Sequence, residues 1–214
     1  QSSEPAPPSS CAGWSYPERR AVNLKRSKVV VLTGAGGRFG RLLARQLVED
    51  PEIQAVLLTS DTNRLRSELG DVSGADVEIL KVTLSDPASV KSVFSQVHER
   101  FGDIDSLINN AALNTISGFH DFVQNSNDLR VGDSFIVNCA APLWCIKYTL
   151  NRGKPSGKRI INVLTARALT GHTRHIDYFS SKSGIYNATL SLANDYPGHI
   201  FRNLMAGHID TGVG

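Results

Sequence analysis

The sequence predicts an α/β fold: a doubly wound parallel sheet with helices on both faces, in three layers. Three observations predict it. Short apolar runs recur along the chain, helical patterns separate them, and a glycine-rich turn joins the first run to the helix after it. Short runs rich in β-branched residues read as strands buried on both faces. Their alternation with helices implies right-handed crossovers between parallel neighbours.

The expected strands are 29–33 (VVVLT), 55–58 (AVLL), 77–82 (VEILKV), 106–109 (SLIN), 159–164 (RIINVL) and 200–206 (IFRNLMA). The first helix is expected to open at Arg41-Leu42-Leu43, after the glycine stretch. The helical pattern is clearest over 85–101. Asp86 suits its cap, Pro87 its first turn, and Gly102 its end, while Val90, Phe94, Val97 and Phe101 share one face. Residues 1–24 hold four of the nine prolines and many serines. Such a segment buries too little apolar surface to offset its ordering entropy, so a flexible arm is expected there. Residues 25–214 read as one domain without internal repeats.

Composition narrows the function classes. The 214 residues are 41% apolar and 20% charged, which fits a globular protein. The 23 basic and 20 acidic side chains are well mixed, for a net charge of +3, so no nucleic-acid footprint is expected. No apolar run approaches the ~18 residues of a membrane span. Cys11, Cys139 and Cys145 have neither the number nor the spacing of a disulfide framework or a zinc site. They point to a reducing, cytoplasmic compartment, with no metal expected.

The run 29–33 feeds directly into Gly34-Ala35-Gly36-Gly37-Arg38-Phe39-Gly40. Glycine allows the sharp turn there and lets backbone N–H groups approach a pyrophosphate at a helix N-terminus. About twenty residues later a carboxylate would bond a ribose 2′-hydroxyl and repel a 2′-phosphate. Ser60 stands at the usual acidic place, with Asp61 one step beyond. Arg38 and Arg64 would instead attract a 2′-phosphate. The signals oppose each other, and the choice between NAD and NADP stays open.

Tyr178 and Lys182 are four residues apart, on one face of a helix. A free phenol titrates near ~10, too high for proton exchange at neutral pH. An ammonium ~4 Å away, at an effective dielectric of ~20, favours phenolate by ~4 kcal/mol, or roughly three pKa units. A lowered Tyr178 is therefore expected.

With these residues the chain, from Lys25 onward, resembles the short-chain dehydrogenase/reductase (SDR) family. Asn109-Asn110-Ala111-Ala112 stands where the family has N-N-A-G, and Ala206-Gly207-His208-Ile209-Asp210-Thr211 where it has P-G-x-x-x-T. The resemblance implies a Rossmann fold, an NAD(P)(H) cofactor and a small-molecule carbonyl or alcohol substrate. It assigns Tyr178 as general acid/base, Lys182 as its electrostatic partner and ribose ligand, and Thr165 as the substrate-oxygen hydroxyl in place of serine. Asn138 would kink its helix and hold a water linked to Lys182. The cofactor would contact Gly34, Gly37, Arg38, Phe39, Gly40, Ser60, Asp61, Thr83, Asn109, Ala111, Gly207, Ile209 and Thr211, besides Tyr178 and Lys182. Thr211 would bond the nicotinamide carboxamide.

The chain also departs from the family. Arg38 replaces a glycine, as in pteridine reductases, and Gly34, Gly37 and Gly40 are spaced as in the family's longer-chain branch. Thr83 replaces the acidic residue that touches adenine. The sequence stops at Gly214, before the family's last helix and strand. His172 and His175, with Arg167 and Arg174, flank the expected substrate cleft. A homodimer is expected through the helices carrying Asn138 and Tyr178, with Ile146, Ile185 and Leu190 among their apolar residues. Two other readings remain: a non-catalytic dinucleotide-binding protein, and a nucleotide-sugar epimerase or dehydratase.

Overall fold

Among the described residues, six strands form one parallel sheet in the order β3-β2-β1-β4-β5-β6. They are β1 (Lys28–Thr33), β2 (Ile53–Thr59), β3 (Val77–Lys81), β4 (Ser106–Asn109), β5 (Arg159–Thr165) and β6 (Ile200–Ala206). The computed structural model describes residues 28–70, 72, 76–114, 128–171 and 175–207. The expected arm at 1–24, with Cys11, and His172, Arg174, Ile209 and Thr211 lie outside the described residues.

The helices are α1 (Arg38–Glu49), α2 (Thr62–Leu69), α3 (Pro87–Phe101), α4 (Asp128–Phe135), α5 (Ala141–Leu150), α6 (Arg167–Thr170) and α7 (Ile176–Asp195). Strand pleating splits the core into two layers. Val29 and Val31 of β1 join Val56, Leu58, Phe94, Ile146 and Ile185 on the α3, α5 and α7 side. Leu32 joins Ala44, Leu57, Leu65 and Ile79 on the α1 and α2 side. The three expected layers are therefore present. Cys145 is fully buried in the first cluster, and burial pushes its thiol up to about 12, so it packs as an inert apolar group.

Local chemistry sets the boundaries. Asp86 accepts the N–H groups of Ala88 and Ser89 at 2.9 and 3.2 Å, and Pro87 fills the first turn of α3. Gly102, at φ 77°, ends that helix. One expected boundary is wrong. α1 opens at Arg38, not Arg41, because the Arg41 N–H already donates to the Gly37 carbonyl at 2.9 Å. The end of the glycine stretch is helix, so Arg38 and Phe39 sit in its first turn.

β1 pairs with β2 on one side and β4 on the other. The chain leaves these two strands in opposite directions, and a crevice opens beyond their C-terminal ends. The glycine turn follows β1 there, and the Asn109-Asn110 pair ends β4.

Candidate active site

The crevice is a cleft of about 660 Å³ beyond the ends of β1 to β4. It brings together Gly34, Gly37, Arg38, Phe39, Gly40, Ser60, Asp61, Thr83 and Ala111, all expected from the sequence. Tyr178, Lys182, Asn109 and Gly207 do not line it. Gly207 is exposed just past β6.

Three positions of the turn, Gly34, Gly36 and Gly40, leave no room for a Cβ. Gly34 has φ 66°, and a Cβ there would lie 2.6 Å from Ala111 Cα. A Cβ on Gly40 would lie 2.0 Å from the Gly34 carbonyl oxygen. On Gly36, which sequence reasoning did not single out, it would meet Thr59 Oγ1 at 2.7 Å. The turn is pressed between β2 and the segment after β4, and its backbone forms the floor of the cleft.

Asn110 holds this turn, and it was missed from sequence. Its Nδ2 donates to the carbonyls of Thr33 and Gly34 at 3.2 and 3.1 Å. The N–H groups of Asn110 and Ala111 donate to Thr33 Oγ1 at 3.1 and 3.3 Å. Asn109, expected as a cofactor contact, is 3% exposed, and its Nδ2 donates to Asn162 Oδ1 at 2.8 Å. Consecutive strand residues point to opposite faces, so only one of two adjacent asparagines can serve the turn. The doubled Asn was the available signal.

At the end of β2, Asp61 is used as the cap of α2. Its Oδ1 accepts the Arg64 N–H at 3.0 Å. Arg64 Nε donates to Glu68 at 2.9 Å, and Arg41 pairs with the same carboxylate. The Arg64 hydrogen bond and the Arg41 charge hold Glu68 below the usual carboxylate range. Exposed Ser60 lines the cleft with Asp61, Arg38 and Arg64.

Thr165 is the last residue of β5, and its Oγ1 accepts the Arg167 N–H at 3.4 Å. Lys182 is 2% exposed and donates from Nζ to the Val163 carbonyl at 3.0 Å. Its Nζ lies 5.9 Å from the Tyr178 ring centroid. Burial lowers the lysine to about 8. Burial also pushes the Tyr178 phenol up, which corrects the expected lowering. Lys182 is turned onto a strand carbonyl, and desolvation of the phenol prevails.

Asn138 sits in a π-helical turn, Ile136–Ala140, between α4 and α5, where the Ala141 N–H reaches the Ile136 carbonyl. Such a turn is a common place for a helix to bend, and Asn138 is where the kink is expected. The expected water relay has a rival on the side chain itself. Asn138 Oδ1 accepts the Leu113 N–H at 2.7 Å. Its Nδ2 donates to the Leu113 carbonyl at 2.7 Å and to Ser181 Oγ at 3.0 Å. Both amide hydrogens are spent joining the β4 exit to α7. His175, expected near substrate, caps α7 in the left-handed region at φ 63°, with Nδ1 3.0 Å from Asn114 Oδ1.

This sheet order, with a glycine turn at the reversal point and a Tyr-x-x-x-Lys helix beyond the fifth strand, defines a Rossmann-type α/β protein. Residues 28–213 match the model of the short chain dehydrogenase family, and the chain belongs to that family. It is 25% identical over 170 residues to the 3beta-hydroxysteroid dehydrogenase of Mediterraneibacter gnavus, covering 79% of this chain and 60% of that protein. It is 26% identical over 169 residues to the 3-oxoacyl-[acyl-carrier-protein] reductase FabG of Salmonella typhimurium, covering 78% and 67%. The chain thus spans about three fifths to two thirds of the length of these curated relatives. Among solved structures, the alcohol dehydrogenase of Thermococcus sibiricus complexed with 5-hydroxy-NADP superimposes with a TM-score of 0.77 at 23% identity, covering 86% of this chain and 78% of that one.

Proposed function

We propose that this protein is an NAD(P)(H)-dependent oxidoreductase that interconverts a carbonyl and an alcohol on a small molecule. The observation that carries the reading is the cradle of Gly34, Gly36 and Gly40 at the sheet reversal, in a chain whose α7 carries Tyr178 and Lys182. The cradle fits a dinucleotide. Three positions reject a Cβ, and the N-terminus of α1 favours anionic phosphate. The Gly34–Gly40 backbone would hold the pyrophosphate, with the adenosine end toward Ser60 and Thr83.

The bound nicotinamide would supply or accept the hydride. The protein's part is proton transfer and positioning. Tyr178 would give its phenolic proton to the substrate oxygen during reduction and take it back during oxidation. Lys182 would bond the nicotinamide ribose hydroxyls, and the Thr165 hydroxyl would bond the same substrate oxygen as Tyr178. Asn138, through Leu113 and Ser181, would fix the β4 exit against α7.

Our reading of the cofactor is NADP(H). One carboxylate oxygen of Asp61 is occupied by the α2 cap, and Ser60 offers no charge against a 2′-phosphate. Arg38 and Arg64 line the same space. The protein is also read as a cytoplasmic homodimer. Ile146 and Ile185, expected at that interface, are instead core, whereas Leu190 of α7 and Phe135 of α4 are 48% and 40% exposed and suit a second copy. Light scattering checks the dimer.

The decisive experiment is single-turnover hydride transfer across a panel of carbonyl substrates. Tyr178→Phe should keep NADPH affinity and lose ~10²–10⁴ in rate. An unchanged rate would promote the non-catalytic reading.

A further inference from the structure

Three strands each bring an asparagine to one row of the sheet. Asn109 of β4 stands opposite Asn162 of β5, and Asn162 opposite Asn203 of β6. The row faces α7. Asn109 Nδ2 donates to Asn162 Oδ1 at 2.8 Å, Asn162 Nδ2 donates to Thr189 Oγ1 at 2.8 Å, and Thr189 Oγ1 donates to the Ile185 carbonyl at 2.6 Å. Asn203 Nδ2 reaches the Tyr186 carbonyl of the same helix at 3.5 Å. Asn109, Asn162 and Thr189 are all at least nine-tenths buried.

Burying amides here costs free energy that an apolar row would not. Asn109 Oδ1 and Asn203 Oδ1 are buried without a hydrogen-bond partner among the described residues. What the polar row adds is direction. Apolar packing tolerates sliding and rotation, whereas each of these hydrogen bonds forms in one arrangement only. Thr189 lies two helical turns beyond Lys182, on the same face of α7. Lys182 itself donates to Val163, the residue after Asn162 on β5. The helix is thus tied to one strand at two separated points, which fixes both its rotation and its axial position.

We infer that Asn109, Asn162 and Thr189 are positioning residues, locking α7 in the arrangement that holds Lys182 Nζ on β5 and Tyr178 beyond the strand end. Only the consequence for turnover rests on the acid/base reading of Tyr178 and Lys182; the placement of Lys182 stands on this geometry alone.

The test follows Lys182 directly, by NMR titration of the full chain with ¹³Cε/¹⁵Nζ-labelled lysine, the signal assigned with Lys182→Arg. Wild type should titrate near 8. Thr189→Val preserves shape and removes the bonds. It should move that midpoint by roughly one unit toward the ordinary lysine value and weaken NADPH binding several-fold. Thr189→Ser should restore both, as a merely space-filling role would not require. Asn162→Leu should repeat the Thr189→Val result. If it does not fold, the near-isosteric Thr189→Val carries the test. A folded Thr189→Val with a wild-type midpoint and wild-type NADPH affinity overturns the inference. If Tyr178→Phe keeps full turnover while Thr189→Val still moves the midpoint, the acid/base reading falls and the positioning stands.

Discussion

Lys182 Nζ donates to the carbonyl oxygen of Val163 at 3.0 Å, inside the sheet–helix interface. The lysine pays for that position by desolvation, which lowers it to about 8. An unfolded chain holds its lysine protons up to ~10.4. Between these values the unfolded state binds a proton here that the folded state has released, so this group makes stability rise with pH over that window. Lys182→Met should remove the rise. Its stabilising effect relative to wild type should shrink from pH 7 to pH 10 by on the order of 3 kcal/mol, read from urea unfolding at each pH.

The glycine turn gives a prediction about binding. Gly34→Val places a branched side chain at φ 66° and against the Ala111 backbone. Calorimetry should detect neither NADPH nor NADH binding to this variant. Asn110→Leu removes both side-chain bonds to the turn and should weaken NADPH by roughly tenfold or more, about the worth of one to two neutral hydrogen bonds. Asn109→Leu should leave the turn intact. Equal losses in the two asparagine variants would reject the assignment of separate faces.

The proposed NADP(H) preference gives a prediction at Arg38 and Ser60. Arg38→Ala should raise the NADPH Kd at least tenfold and leave the NADH Kd within about twofold, since a charge-assisted phosphate bond is worth ~1.5–3 kcal/mol. Ser60→Asp should move preference toward NADH by placing a carboxylate where the 2′-phosphate would sit. Indifference of both ratios would return the choice to Asp61 and NAD.

At the opposite end of the sheet, the fully buried Lys158 ammonium pairs with Asp103 and donates to the Ile104 carbonyl at 3.1 Å. Burial alone would raise Asp103, but the Lys158 and Lys154 hydrogen bonds prevail and hold it below the usual carboxylate range. Its stabilising contribution is therefore present above the unfolded value of ~3.9 and is lost as pH falls through the lower folded value. Asp103→Asn strands the buried ammonium and should destabilise by roughly 3–5 kcal/mol in denaturant unfolding, whereas Lys158→Met should cost far less.

Much of this molecule was determined by local sequence. The period of its apolar runs gave six strands, Asp86, Pro87 and Gly102 bounded α3, and the glycine spacing located the turn after β1, because each depends on a few adjacent residues. Tertiary structure decided what depends on direction and desolvation. Sequence could not tell which of Asn109 and Asn110 faces the turn, since that follows from the pleat of β4. It could not show that Asp61 is occupied by a helix cap, nor that Lys182 is drawn to Val163 while burial raises Tyr178. Nor could it bring Asn109, Asn162 and Asn203 into one row. Those residues are far apart along the chain, and only strand order and register, set by how the two core layers pack, place them side by side.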